Sequence, residues 1–306
     1  MKLKNRKICV TGGAGFIGHH LVRKLLDMDN EVLVLDNLSF GKEEYLPDDK
    51  NMTFSNIDIR DRQKVGNNIN EFKPEILMHL AAIHHIPYCN SHPFEASDIN
   101  INGTRNILRS FNDNNIQKLF FASTMAVYPI NDIANKETSP VGPTDIYGTT
   151  KLVGEDLCEL LSLQTGITAI CGRLANVYGP EETNSHVIPE IEQQVKEGKR
   201  EIELGNLEPS RDFVHAFDVA DAMIALMESD IQKFDVFNIG TGKEYSIKES
   251  VEIFEKVIGE KLNIIQSPDR IRKAERMHLI PDIRKIIEKA NWSPKIDFPE
   301  GIKGLF

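Results

Sequence analysis

Tyr147 and Lys151 stand one helical turn apart, so a phenol and an ammonium share one face of a predicted helix. A free phenol titrates near pH ~10 and is a poor base in neutral water, but a neighbouring cation favours its phenolate. The spacing Tyr-x-x-x-Lys is common by chance and gains meaning from a third group. Thr124 places a hydroxyl at the C-terminal end of the apolar run Leu119-Phe120-Phe121-Ala122. A hydroxyl, a phenol and an ammonium converging beside a hydride acceptor would form a proton-transfer relay.

Such a relay needs a cofactor and a frame. The N-terminal stretch Lys7-Ile8-Cys9-Val10-Thr11 reads as a strand, and a glycine-rich turn and an amphipathic segment follow it. Gly13, Gly15 and Gly18 satisfy the dinucleotide-binding spacing, with Gly12 giving an overlapping set. A pyrophosphate reaches peptide N–H groups at a helix N-terminus only where no Cβ intervenes. The next apolar run, Val32 to Leu35, ends at Asp36, so the acidic residue that this unit requires is in place.

Further apolar runs alternate with helical segments. Strands are predicted at 51–59, 75–82, 118–123 and 168–174, and helices at 20–28, 62–72, 93–112 and 147–163. This alternation predicts an α/β doubly wound parallel sheet, whose ligands sit outside the carboxyl ends of the strands. Asp36, Asp58, Ala81, Ala82, Thr124 and Asn176 all fall at that edge. Beyond Gly179-Pro180 the pattern loosens into short helices near 186–196, 218–227, 246–258 and 282–289 and strands near 201–204, 212–215, 236–239 and 262–266. The expected division is a dinucleotide-binding domain at 1–176 and a smaller α/β substrate-binding cap at 177–306. Segments near 212–242 return to the first domain.

Composition sets outer bounds. The 306 residues are 41% hydrophobic and 27% charged, as in ordinary globular proteins. The net charge of −10 argues against nucleic-acid or anionic-membrane partners. Cys9, Cys89, Cys158 and Cys171 are widely spaced and read as buried thiols of a reducing compartment. The chain enters its first strand directly, and no apolar run reaches membrane-spanning length, so a cytoplasmic protein is expected.

The motifs taken in order resemble the extended short-chain dehydrogenase/reductases, within the NAD-dependent nucleotide-sugar epimerase/dehydratase group. The carriers are Thr11 to Gly18, Leu35 to Ser39, Asp58 to Asp61, His79 to Ala82 and Asn100 to Thr104. They continue with Ser123-Thr124, Tyr147 with Lys151, Arg173, Asn176 to Pro180 and Arg211 to His215. The resemblance implies a Rossmann sheet and bound NAD. Gly12, Gly15, Phe16, Ile17 and Gly18 would hold the pyrophosphate, and Asp36, followed by Asn37, the adenosine ribose. Asp58 and Ile59 would flank adenine, Leu80, Ala81 and Ala82 would line the dinucleotide, and Asn100 would lie near it. Lys151 would bond the nicotinamide ribose and depress the phenol of Tyr147, the base, while Thr124 would bond the reacting sugar oxygen. Asn176, Val187 and Arg211 would contact the sugar nucleotide, with Arg272 a second candidate for its diphosphate. A homodimer through the helices that begin near Pro93 and Tyr147 is also implied.

The 4,6-dehydratases of this group carry an acid–base pair directly after the threonine. Here those positions are Met125 and Ala126, neither of which transfers a proton. The expected activity is therefore epimerisation, most simply at C4 of a UDP-sugar through a transient 4-keto species. A keto-sugar reductase or dehydratase of the same group is the alternative, and a non-catalytic dinucleotide-binding regulator a remote one. In the loop His84-His85-Ile86-Pro87-Tyr88-Cys89, the histidine and cysteine spacing is irregular, so no metal site is expected. His84 is expected to touch the sugar.

Overall fold

Consecutive residues of a strand face opposite sides of its sheet, so a strand apolar at every position needs cover on both faces. The computed structural model describes residues 2–112, 115–182, 184, 186–267 and 276–306. In chain order the first half runs β1 (Lys7–Thr11), α1 (Phe16–Asp27), β2 (Glu31–Asp36), β3 (Met52–Asn56), α2 (Arg62–Phe72), β4 (Ile76–His79), α3 (Ile86–Ser91) and α4 (Pro93–Ser97). A π-helical turn (Asp98–Gly103) leads into α5 (Thr104–Arg109), β5 (Lys118–Thr124), α6 (Ile146–Thr165) and β6 (Thr168–Leu174). The second half adds β7 (Asn176–Tyr178), α7 (Val187–Lys196), β8 (Glu201–Leu204), β9 (Ser210–Arg211), β10 (Phe213–His215), α8 (Ala216–Glu228) and β11 (Phe234–Ile239). It closes with β12 (Tyr245–Ser246), α9 (Ile247–Ile258), β13 (Asn263–Gln266), α10 (Arg284–Ala290) and α11 (Phe298–Lys303).

Seven strands pair in the order β11-β6-β5-β4-β1-β2-β3, every pair parallel. Strand order reverses between β1 and β4, which opens the crevice where such sheets bind ligands. Ile8, Val10, Val32, Val34, Met78 and Phe120 face α1 and α8 in one core. Their neighbours Cys9, Leu33, Leu35, Leu77, Leu119 and Phe121 face α2, α5 and α6 in another. Burying each such side chain stabilises the fold by about 1.5–3 kcal/mol. A third core, built on Tyr178, Ile191, Ile202, Phe213, Phe254 and Phe298, holds α7, α9 and α11 together over the sheet's carboxyl edge. Three two-stranded ribbons accompany it: β7 with β10, β9 with β12, and β8 with β13. The late strand β11 joins the main sheet beside β6.

Two expectations change in detail. The predicted helix at 93–112 is interrupted by the π turn, within which the buried Asn100 side chain accepts from Ile83 N at 2.8 Å and donates to Ile83 O at 2.9 Å. A wide turn of this kind presents a side chain that a regular helix would rotate away. The third strand stops at Asn56 because the Asp58 carboxylate accepts from Arg60 N at 2.8 Å and turns the chain. Helices α3 and α11 add to the predicted set. Each is six residues long with proline in its first turn, too short to show a 3.6-residue period.

Candidate active site

A cleft of about 1200 Å³ runs along the carboxyl edge of the sheet beneath the cap. Every residue singled out above for cofactor or substrate lines it, apart from Gly13, Asn100 and Arg272. Asn100 sits behind the wall, spending its amide on Ile83 and on Thr150 Oγ1 at 3.0 Å, so it holds the wall in place. Arg272 lies outside the described residues.

The glycine turn separates into positions with different causes. Gly12 has φ +71°, and a Cβ there would stand 2.7 Å from Ala81 N, so the fold itself demands glycine. At Gly15 a Cβ would meet nothing closer than Gly12 O at 3.3 Å, yet the residue lines the cleft. Gly15 is also the N-cap of α1 and supplies no side-chain cap. An open cradle at an uncapped helix N-terminus suits an anionic phosphate. At the end of β2, Asp36 is buried, with Oδ2 accepting from Ala14 N at 3.0 Å and Oδ1 from Leu38 N at 2.8 Å. Burial raises its carboxyl, and those amides act in the opposite direction. Farther along, Arg60 Nη2 donates to Asp58 at 2.7 Å, and that pairing holds the Asp58 carboxyl low. Cradle, helix terminus and carboxylate together fit a dinucleotide.

On the opposite wall Thr124 ends β5, and its Oγ1 accepts from Ala126 N at 3.2 Å. Asp145 caps α6 by accepting from Gly148 N at 2.7 Å, which puts Tyr147 in the first turn and Lys151 in the second. Only glycine fits at 148: a Cβ would lie 2.5 Å from Ala126 O, so α6 packs directly on the turn after Thr124. Lys151 is buried and donates to Ala122 O at 2.7 Å, with Nζ 5.9 Å from the Tyr147 ring centroid. Burial lowers its ammonium to about 8. Burial also raises the Tyr147 phenol well above its usual value, and the Thr124 hydroxyl draws it the other way. The helix is fixed by Glu155, which accepts from Arg173 Nε at 2.9 Å, from Arg173 Nη2 at 2.6 Å and from Ser123 Oγ.

Along the cap wall lie His84, Asn176, Val187 and Arg211. Arg211 Nη1 donates to Ser210 O at 2.7 Å. Burial holds His84 neutral, at about 3. Met125 and Ala126 are 1% and 6% exposed, apolar and packed. Sequence reasoning misses two features. Arg276 reaches in from the far end of the chain, donating to Tyr128 O at 2.7 Å and to Ala126 O and Thr144 Oγ1 at 3.1 Å. Glu182 pairs with His186 at 2.6 Å in the loop before α7. The basic run around Arg276 and the Glu-x-x-x-His spacing are visible, but nothing local ties either to a cleft.

Fold and cleft together define the class of dinucleotide-binding α/β enzymes. Residues 8–240 match the NAD dependent epimerase/dehydratase family, and the chain belongs to that family. It is 36% identical over 301 residues to a Methanocaldococcus jannaschii protein provisionally named UDP-glucose 4-epimerase, covering 97% of this chain and 96% of that one. The UDP-glucose 4-epimerase of Thermotoga maritima, solved with UDP-glucose, superposes with a TM-score of 0.90 at 31% identity, over 98% of this chain and 97% of that one. The Thermus thermophilus UDP-glucose 4-epimerase complex with NAD gives 0.90 at 30% identity, with the same coverage of each.

Proposed function

We propose that this protein is an NAD-dependent nucleotide-sugar epimerase that inverts C4 of a UDP-sugar. One observation carries the reading. Thr124, Tyr147 and Lys151 share a cleft with the glycine turn, while buried apolar Met125 and Ala126 occupy the positions a dehydratase would use for proton transfer.

Gly12, Gly15 and the first turn of α1 would hold the pyrophosphate of NAD, Asp36 with Asn37 the adenosine ribose, and Asp58 with Ile59 the adenine. Bound there, NAD would supply reversible hydride acceptance and a positive charge beside the phenol. Tyr147 takes the proton from the sugar hydroxyl and later gives it back. Thr124 orients the reacting oxygen. Lys151 meets the nicotinamide ribose and keeps cationic charge near the phenol, which burial otherwise holds protonated. Asn176, Val187 and Arg211 bind the sugar nucleotide.

The same reading extends to organisation. Residues 1–176 form the dinucleotide-binding domain and 177–306 mainly the substrate cap, with 212–242 returning to the first. The protein pairs as a homodimer through α4 and α6, which leave Phe94 89%, Leu160 51% and Leu163 73% exposed. Four buried free thiols suit the cytoplasm. No described helix is long and apolar enough to cross a membrane.

The test is to supply the NAD-loaded protein with UDP-glucose or UDP-galactose and follow each epimer. Interconversion without NADH accumulation is expected, and Tyr147→Phe should lower kcat by about 10²–10⁴-fold while retaining NAD. Stoichiometric consumption of cofactor would overturn the epimerase reading.

A further inference from the structure

The wall of the cleft formed by the loop before α7 carries a buried carboxyl whose ionic partner is a histidine. Glu182 lines the cleft with its side chain 2% exposed. One oxygen, Oε1, is 2.6 Å from His186 Nδ1, and the other, Oε2, has no hydrogen-bond partner among the described residues. A carboxylate only accepts, so His186 donates to it from Nδ1, and in the neutral ring that tautomer leaves Nε2 as an acceptor. The His186 ring lies 5.7 Å from that of His84, centroid to centroid, which connects this pair to the wall near Lys151. Burial raises the Glu182 carboxyl and His186 draws it the other way; no lysine or arginine is among the groups that shift it, and Glu192 has the same sign.

We propose that the Glu182–His186 pair selects the sugar: it accepts hydroxyl donors of a neutral hexose and turns away a uronic acid. Two properties give this selectivity. A buried oxygen without a partner is costly to leave so, and a donor brought to this wall lowers that cost. A carboxylate on the incoming sugar meets a like charge in a low-dielectric wall, where repulsion is screened far less than in water. Specificity then comes from repulsion of the wrong ligand as much as from attraction of the right one.

This inference rests on the reading of the cleft as a UDP-sugar site, and its test separates the two. The NAD-loaded protein and its Glu182→Gln variant are titrated calorimetrically at pH ~8, where an ordinary histidine is neutral, with UDP-glucose and with UDP-glucuronic acid. Glutamine keeps an acceptor for His186 Nδ1 and removes only the charge. The native protein should prefer UDP-glucose by about a hundredfold or more. The variant should narrow that ratio by about tenfold, chiefly by binding the uronate better. A merely structural role would weaken both ligands equally and leave the ratio unchanged, which overturns the inference, as does equal affinity of the native protein for the two. Binding of neither overturns the UDP-sugar reading and this inference with it. Selective binding of UDP-glucose without turnover overturns the epimerase reading alone and leaves the selectivity standing.

Discussion

The two long walls of the cleft are built by different means. The dinucleotide wall is made of backbone: a glycine turn, an uncapped helix terminus, and a carboxylate fixed by Ala14 and Leu38 amides. The wall proposed to be catalytic is made of buried charge: Lys151 on Ala122 O, and Glu155 clamped between Arg173 and Ser123. Backbone geometry is set by residues close in sequence and tolerates solvent. Buried charge is set by residues from several elements and holds only while every partner is present. One wall should therefore fail locally and the other cooperatively.

The largest expected contrast is at Glu155. It is 3% exposed and links α6 to β5 and β6, one turn beyond Lys151. Glu155→Gln leaves Arg173 charged and buried, at a cost of about 3–5 kcal/mol. A urea titration should show that loss, with kcat falling as Tyr147 loses its register against Thr124. A variant of native stability would show that packing, not charge, holds the catalytic wall.

The same contrast explains which residues are legible in the sequence and which are not. Gly12, Gly15, Gly18 and Asp36 lie within one strand-turn-helix-strand unit, so their spacing alone carries the geometry. Tyr147 and Lys151 are legible because one helical turn joins them, and Thr124 because it ends an apolar strand. Glu155 with Arg173 is not, since a glutamate inside a helix and an arginine inside a strand look like surface residues until the sheet brings them together. Asn100 is legible as a residue near the dinucleotide, but its bonds to Ile83 are not, because the π turn that faces it there has no sequence period of its own. Arg276 and Glu182 sit in segments without periodicity, and their partners lie in distant elements or in a loop.

A smaller effect tests the catalytic wall by pH. Burial holds the Lys151 ammonium at about 8, against an ordinary value of about 10.5. Below pH ~8 both folded and unfolded chains hold the proton, and the cost of burying the charge is present in full. Between pH ~8 and ~10.5 the folded protein has released its proton while the unfolded chain still binds one, so stability rises with pH, by at most about 1.4 kcal/mol per unit. The difference in unfolding free energy between the native protein and Lys151→Met should shrink across that window when measured without NAD. A difference independent of pH would place the ammonium in a better-solvated site than its 4% exposure implies.

The smallest effect is on the dinucleotide wall, where fold and function can be separated at neighbouring glycines. Gly15 has φ −77°, an ordinary value for alanine, and a methyl group there would press only on Gly12 O at 3.3 Å. Alanine also restricts the unfolded chain, so Gly15→Ala should stay within about 1 kcal/mol of native stability. The new Cβ would nevertheless stand over the helix terminus where a pyrophosphate must approach, and losing one charge-assisted bond there weakens NAD binding by about tenfold. Gly12→Ala behaves differently, because φ +71° and the 2.7 Å approach to Ala81 N are requirements of the fold. Thermal unfolding paired with NAD titration reads both variants at once: Gly15→Ala should lose affinity at constant Tm, and Gly12→Ala should lose Tm. If Gly15→Ala bound NAD as tightly as the native protein, the open cradle at the head of α1 would not be where the pyrophosphate sits.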